Sequence, residues 1–134
     1  MKDLRAILLT HGHKDHIGGL DDVRAFNWVK QGAVDVYGNE GTREVVYKDF
    51  SYAFAAFRYP GVPEINYHVI DDRPFYIDDI QVVPIPVLHY KMPVLGFRIG
   101  NFAYITDAKT IPASSMERLK GVEYLVINAL RKEL

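Results

Sequence analysis

Cysteine is absent from the 134 residues. Disulfides are therefore excluded, and any metal must be held by His, Asp or Glu. Neither sign of charge dominates: sixteen Lys and Arg against seventeen Asp and Glu leave a formal net charge of −1. No global basic field attracts RNA or DNA, so nucleic acid is a less favoured partner than a small substrate. No apolar run approaches the ~20 residues needed to cross a bilayer, and no charged-then-apolar leader opens the chain. These absences suit a cytoplasmic protein with no membrane partner. Internal repeats and low-complexity stretches are missing too. At this length the chain is at most one domain, expected over residues 1–134. An apolar content of 49% and a charged content of 25% are those of an ordinary globular chain.

What is present is a dense ligand cluster. His11-Gly12-His13-Lys14-Asp15-His16 reads H-x-H-x-D-H and follows the apolar run Ala6-Ile7-Leu8-Leu9. A chain of this composition produces the pattern by chance roughly once in two thousand. Three imidazoles and a carboxylate in six residues suit borderline divalent ions, with zinc or manganese foremost. The run before them reads as a strand, Leu4 to Thr10, buried on both faces. A strand end is a rigid place from which to aim ligands. Residues two apart in extended chain point the same way. His11 and His13 therefore face one ion, while Asp15 and His16 turn towards a second. The plainer reading is a polar surface turn.

The rest of the chain alternates helices with strands, an α/β pattern. Leu20, Val23 and Phe26 predict the inward face of a helix over Leu20 to Lys30, with Asp21 and Asp22 capping its first turn. Ala33 to Tyr37 reads as a strand, and Gly38 to Thr42 as a turn capping a helix from Thr42 to Phe50 or beyond, to Phe57. The aromatics from Tyr47 to Tyr59 read as a core face. A pocket wall and a normally covered surface are the alternatives. Pro60 to Pro63 breaks the pattern. Strands are predicted at Ile65–Ile70, Phe75–Ile77 and Ile80–Leu88, with Asp78-Asp79 as a hairpin turn. His68 falls on the strand face opposite Tyr67 and reads as structural or solvent-facing, outside the site. Pro84 and Pro86 predict an edge position or irregular pairing. His89 opens a loop through Pro93. Val94–Gly100 and Phe102–Thr106 form a hairpin turning at Gly100-Asn101. Asp107 follows, as a ligand or as a cap for a helix at Pro112 to Lys120. Val122 to Asn128 is the last strand.

The stretch Leu8 to His16, continued by Ile17-Gly18-Gly19-Leu20-Asp21-Asp22, resembles the metallo-β-lactamase-fold hydrolases. Within them it is similar to the PhnP-like branch of cyclic phosphodiesterases, relatives of the tRNA 3′-end-processing endonucleases. Val87-Leu88-His89 with Val94 to Ile99, and Ala103 to Ala108, extend the likeness. The resemblance implies an αββα sandwich, of which this chain is expected to be the central portion, with parts of both sheets and three helices. It implies that His11, His13 and His89 hold a first ion, Asp15 and His16 a second, and that Asp107 bridges them. Asp15 and Asp107 become the catalytic carboxylates. No histidine follows His89, so the second site is expected to be incomplete and the chain to be part of a longer protein.

A dinuclear site of this kind brings a bridging water towards neutral ionisation and offsets charge growing on a phosphodiester. Lys14 or Lys91 is a candidate phosphate contact, although a solvated surface lysine is the plainer reading of each. No residue is a convincing general acid. The expected activity is metal-dependent hydrolysis of a small phosphodiester or cyclic phosphate. The alternatives are thioester or lactone hydrolysis by the same fold, and a catalytically inert, self-associating fragment.

Overall fold

The computed structural model describes residues 3–131. It divides into two compact units, Met1–Asp71 and Asp72–Leu134. The ends of the expected domain, residues 1–2 and 132–134, lie outside the described residues.

The first unit is a parallel sheet with helices. Strands β1 (Ala6–Leu8), β2 (Val34–Gly38) and β3 (Ile65–Val69) lie in that order, Val36 pairing with Ile7 on one side and Tyr67 on the other. The central strand alternates buried and half-buried residues, and Val34 and Val36 are fully enclosed. Each such valine contributes about 1.5–3 kcal/mol through its removal from water. β1 is shorter than expected and only half-buried, because it is the edge strand among the described residues. A bond from Leu9 N–H to the Tyr37 carbonyl, 2.8 Å, continues its ladder one residue further.

The helix expected from Leu20 is divided. A four-residue helix α1 (Lys14–Ile17) comes first, then a 3₁₀ segment Gly18–Val23, then α2 (Arg24–Lys30). Leu20 and Val23 are buried and Phe26 packs on the same core, as their spacing predicts. Asp21 and Asp22 do not cap: neither start has a side-chain cap. Asp21 instead accepts from the Tyr52 hydroxyl at 2.6 Å and pairs with Arg24 at 3.4 Å.

The next helix, α3 (Glu40–Asp49), starts two residues early because Asn39 caps it, its Oδ1 accepting from Thr42 N–H at 2.9 Å. At Phe50 the backbone leaves helical geometry, and α4 (Ser51–Phe54) follows. The aromatic run is only partly core. Phe50 is buried and Phe54 packs on the core, whereas Tyr52, Phe57 and Tyr59 are exposed. His68 is structural as expected, its Nε2–H donating to Asp35 at 2.8 Å and its ring stacked on Tyr37.

The second unit is a five-stranded sheet in sequence order: β4 (Phe75–Ile77), β5 (Ile80–His89), β6 (Met92–Ile99), β7 (Phe102–Ile105) and β8 (Tyr124–Ile127). β4 to β7 are antiparallel, and β8 joins β7 in parallel after α5 (Ala113–Arg118). The helix count thus exceeds the three expected, because the described helices are short. Ile85, Val87, Val94 and Ile105 form the core, against which Ile111 and Leu119 pack.

Pro84 and Pro86 show why β5 tolerates them. β4 covers only Ile80 to Val82, so past that point β5 has β6 as its strand neighbour. Lacking N–H, both prolines turn their backbone polar side away from β6. Their carbonyls accept from α5: Arg118 Nη1 donates to Pro84 at 2.7 Å, and the Ser115 hydroxyl donates to Pro86. Leu88, next in phase, exchanges backbone bonds with Lys109 and Thr110. A helix and a loop therefore do the work of a missing strand.

Candidate metal centre

The ligand loop grows directly from the end of β1. The His13 carbonyl accepts from His16 and Ile17 N–H, at 2.9 and 3.2 Å, and this turns the chain into α1. The turn folds His16 back over His11. Ring centroids lie 4.8 Å apart for His11 and His13 and 4.2 Å apart for His11 and His16. His11 is 1% exposed and shares a 3.0 Å hydrogen bond between its Nδ1 and the Thr10 hydroxyl. Gly12 is dictated by packing, since a Cβ there would stand 3.0 Å from Val45 of α3. Asp15 lies on α1, exposed, with Oδ2 3.4 Å from His16 Nε2. Lys14 is an exposed partner of Asp49 at 3.5 Å, which favours its surface reading.

His89 and Asp107 meet in the second unit. His89 is the last residue of β5 rather than the start of a loop, because Tyr90-Lys91 alone make the turn to Met92. Tyr90 takes a left-handed φ of 55° to close it. His89 Nδ1–H donates to the Asp107 carbonyl at 2.8 Å. That bond sets the tautomer, so Nε2 is the nitrogen bearing the lone pair. Asp107 itself has φ 55°, an uncommon conformation for a residue with a Cβ and one found often at functional sites. Thr106 Oγ1 donates to its carboxylate at 3.1 Å. Asn128 holds the next residue on both sides: Ala108 N–H donates to Oδ1 at 3.0 Å, and Nδ2 donates to the Ala108 carbonyl at 3.2 Å. The capping reading of Asp107 fails, because the residue at the start of α5 is Pro112.

His11, His13 and His16 thus converge in one unit, with Asp15 at their edge, and His89 and Asp107 in the other. The donor set fits a divalent ion. His11 and His13, with ring centroids 4.8 Å apart, supply imidazole nitrogens of the kind such an ion favours. Sequence reading missed Thr10 and Asn128, the two residues that orient this chemistry. A hydroxyl next to His11 was a local clue for Thr10. Asn128 had no local signal, being twenty positions from its partner.

Two phenols report the surroundings. Tyr67 donates to the Asn39 carbonyl at 3.0 Å, and burial, then the nearby Glu40 charge, push its ionisation well above the ordinary tyrosine range. Tyr52 is pushed up to about 12, chiefly because its proton is held by Asp21.

This geometry has clear relatives. The sequence matches the Beta-lactamase superfamily domain over residues 1–134, and the chain belongs to that superfamily. Its fold is the α/β metallo-β-lactamase fold expected from the ligand loop, and its likeness to the PhnP branch is confirmed. A diphosphatase from the PhnP family superposes with a TM-score of 0.82 at 36% identity, covering 93% of this chain and 47% of that one. Ribonuclease Z of Mycobacterium bovis (strain BCG / Pasteur 1173P2) is 32% identical over 149 residues, covering 98% of this chain and 53% of that protein. An octanoyltransferase of Porphyromonas gingivalis is 40% identical over 129 residues, 96% of this chain but 26% of that protein. The chain therefore spans about a quarter to a half of the length of these relatives.

Proposed function

We propose that the protein bearing this chain is a metal-dependent phosphodiesterase acting on a small phosphodiester or cyclic phosphate. The observation that carries this reading is the convergence of the His11, His13 and His16 rings at the end of β1. Residues 1–134 act as part of one metallo-β-lactamase domain in the cytoplasm. His11, His13 and His89 hold a first ion, Asp15 and His16 contribute to a second, and Asp107 bridges the two. The supporting likenesses are to a PhnP-family diphosphatase and a ribonuclease Z, both named for cleavage of phosphate esters or anhydrides. Zinc or manganese suits the imidazole and carboxylate donors. Two such ions, when bound, ease deprotonation of a water and offset charge on the phosphoryl oxygens.

The chain's own residues do the orienting. Thr10 steadies His11, the Asp107 carbonyl fixes the tautomer of His89, and Asn128 holds the Asp107–Ala108 corner. The test is hydrolysis of an activated phosphodiester beside an activated thioester, by protein supplied with zinc or manganese. Phosphodiester turnover supports the reading, and turnover of the thioester alone overturns it in favour of the thioester alternative.

One observation favours the inert, self-associating reading for this chain by itself. All four residues of β8, Tyr124 to Ile127, are apolar and exposed on the last strand of the described sheet. Such an edge pairs readily with another chain. A mass that rises with concentration, with no turnover of either substrate, is the outcome for that reading.

A further inference from the structure

The first unit holds a second concavity, separate from the histidine loop. It has a volume of about 320 Å³, and its lining includes Arg24, Asn27, Trp28, Gln31, Val62 and Glu64. Its place in the sheet is set by hydrogen bonds. Glu64 precedes the first residue of β3, and its carbonyl accepts from Val34 N–H at the start of β2. The cavity therefore lies at the strand-start edge of the parallel sheet, whereas the histidine loop leaves the opposite, strand-end edge. Five residues of β2 separate the two edges, about 15 Å at the rise of a strand.

Part of the cavity wall is held by hydrogen bonds. The Asn27 amide is fully engaged: Nδ2 donates to the Gly32 and Glu64 carbonyls at 3.0 and 2.9 Å, and Oδ1 accepts from Glu64 N–H at 2.9 Å. This ties the end of α2 to the segment before β3. Gln31 ends α2 with φ 55°, a left-handed conformation more usual for glycine, at the cavity rim. Beside these bonds stands Trp28, 84% exposed. A large aromatic ring exposed at the wall of a concavity offers a face on which a planar ligand can stack.

The charged groups narrow the class. Glu64 offers two acceptor oxygens, and Arg24 offers a guanidinium that makes a surface contact with Asp21 at 3.4 Å. A guanine base presents two parallel N–H donors on one edge, matching a carboxylate. Its phosphate matches a guanidinium. Adenine sets a ring acceptor against the carboxylate where guanine sets a donor, and so is disfavoured. We propose that this cavity binds a guanine nucleotide, with the base stacked on Trp28, its donor edge on Glu64 and its phosphate towards Arg24. The inference stands on this cavity alone and does not require the hydrolase reading.

Trp28 is the sole tryptophan of the chain, so its fluorescence reports this cavity directly. The experiment titrates the chain with guanosine monophosphate and adenosine monophosphate, each with and without a chelator, with free tryptophan amide correcting for absorbance. Saturable quenching by the guanine nucleotide is expected, with about tenfold weaker binding of the adenine nucleotide. Glu64→Gln keeps the fluorophore and is expected to abolish that tenfold preference. No saturable quenching up to millimolar nucleotide overturns the proposal. So does quenching that disappears with the chelator, which places the ligand on a metal, or equal affinities that Glu64→Gln leaves unchanged.

Discussion

Replacing Asn128 by alanine removes the two hydrogen bonds that hold Ala108, one to its N–H at 3.0 Å and one to its carbonyl at 3.2 Å. Both groups are partly buried, so solvent does not fully replace the lost partners. At about 1 kcal/mol net for each bond, the change costs about 2 kcal/mol. That is roughly a thirtyfold loss in the ratio of folded to unfolded chain. The local consequence reaches further. Asp107 precedes Ala108, sits at φ 55°, and presents the carbonyl that fixes the His89 tautomer. Releasing Ala108 lets that corner relax, and loss of such a supporting contact lowers metal affinity about tenfold or more. Urea denaturation read by circular dichroism gives the first quantity, and competition with a zinc indicator gives the second. Asn101→Ala is the control, since it removes an exposed bond to Glu123 and is expected to shift stability by less than about 0.5 kcal/mol. An Asn128→Ala chain as stable as the control, with unaltered zinc affinity, refutes the reasoning.

Other outcomes follow from single contacts. Gly38→Ala places a Cβ against the Tyr67 hydroxyl and should destabilise the chain by about 1–3 kcal/mol. A Tyr67→Phe background should recover part of that loss, a coupling that a double-mutant cycle in urea measures directly. Thr10→Val deletes the hydroxyl bonded to His11 Nδ1 and should weaken zinc binding about tenfold with the fold intact, as read by indicator competition and circular dichroism. Tyr52 carries a pH signature: its folded value of about 12 lies above the ordinary 10, so the fold holds its proton the more tightly. The resulting stability is complete below pH 10 and is lost as pH rises towards 12. Tyr52→Phe should flatten that alkaline decline in a urea-midpoint series.

Where periodicity and local chemistry acted together, the sequence was a good guide. The alternation through Val34 and Val36, the Asn39 cap, and the Gly100-Asn101 turn with φ 57° at Gly100 all follow from neighbours in the chain. The ligand loop was legible for the same reason, because His11, His13, Asp15 and His16 are contiguous. What escaped depends on partners far along the chain. The aromatics Phe57 and Tyr59 look like core by composition yet are exposed, because hydrophobicity alone does not say which face meets a partner. The prolines of β5 suggested an edge, but not that Ser115 and Arg118 would satisfy their carbonyls from α5. The division of the predicted Leu20–Lys30 helix is a backbone choice among similar hydrogen-bond patterns. Spacing of three to four residues satisfies either one.

The most direct measurement is metal stoichiometry on the purified chain after equilibration with zinc and removal of excess. At least one ion per chain is predicted, retained by the parent sequence and lost from the His11→Ala, His13→Ala double variant while its circular dichroism is unchanged. A folded chain that takes up no ion, or one whose bound ion is indifferent to both substitutions, contradicts the account.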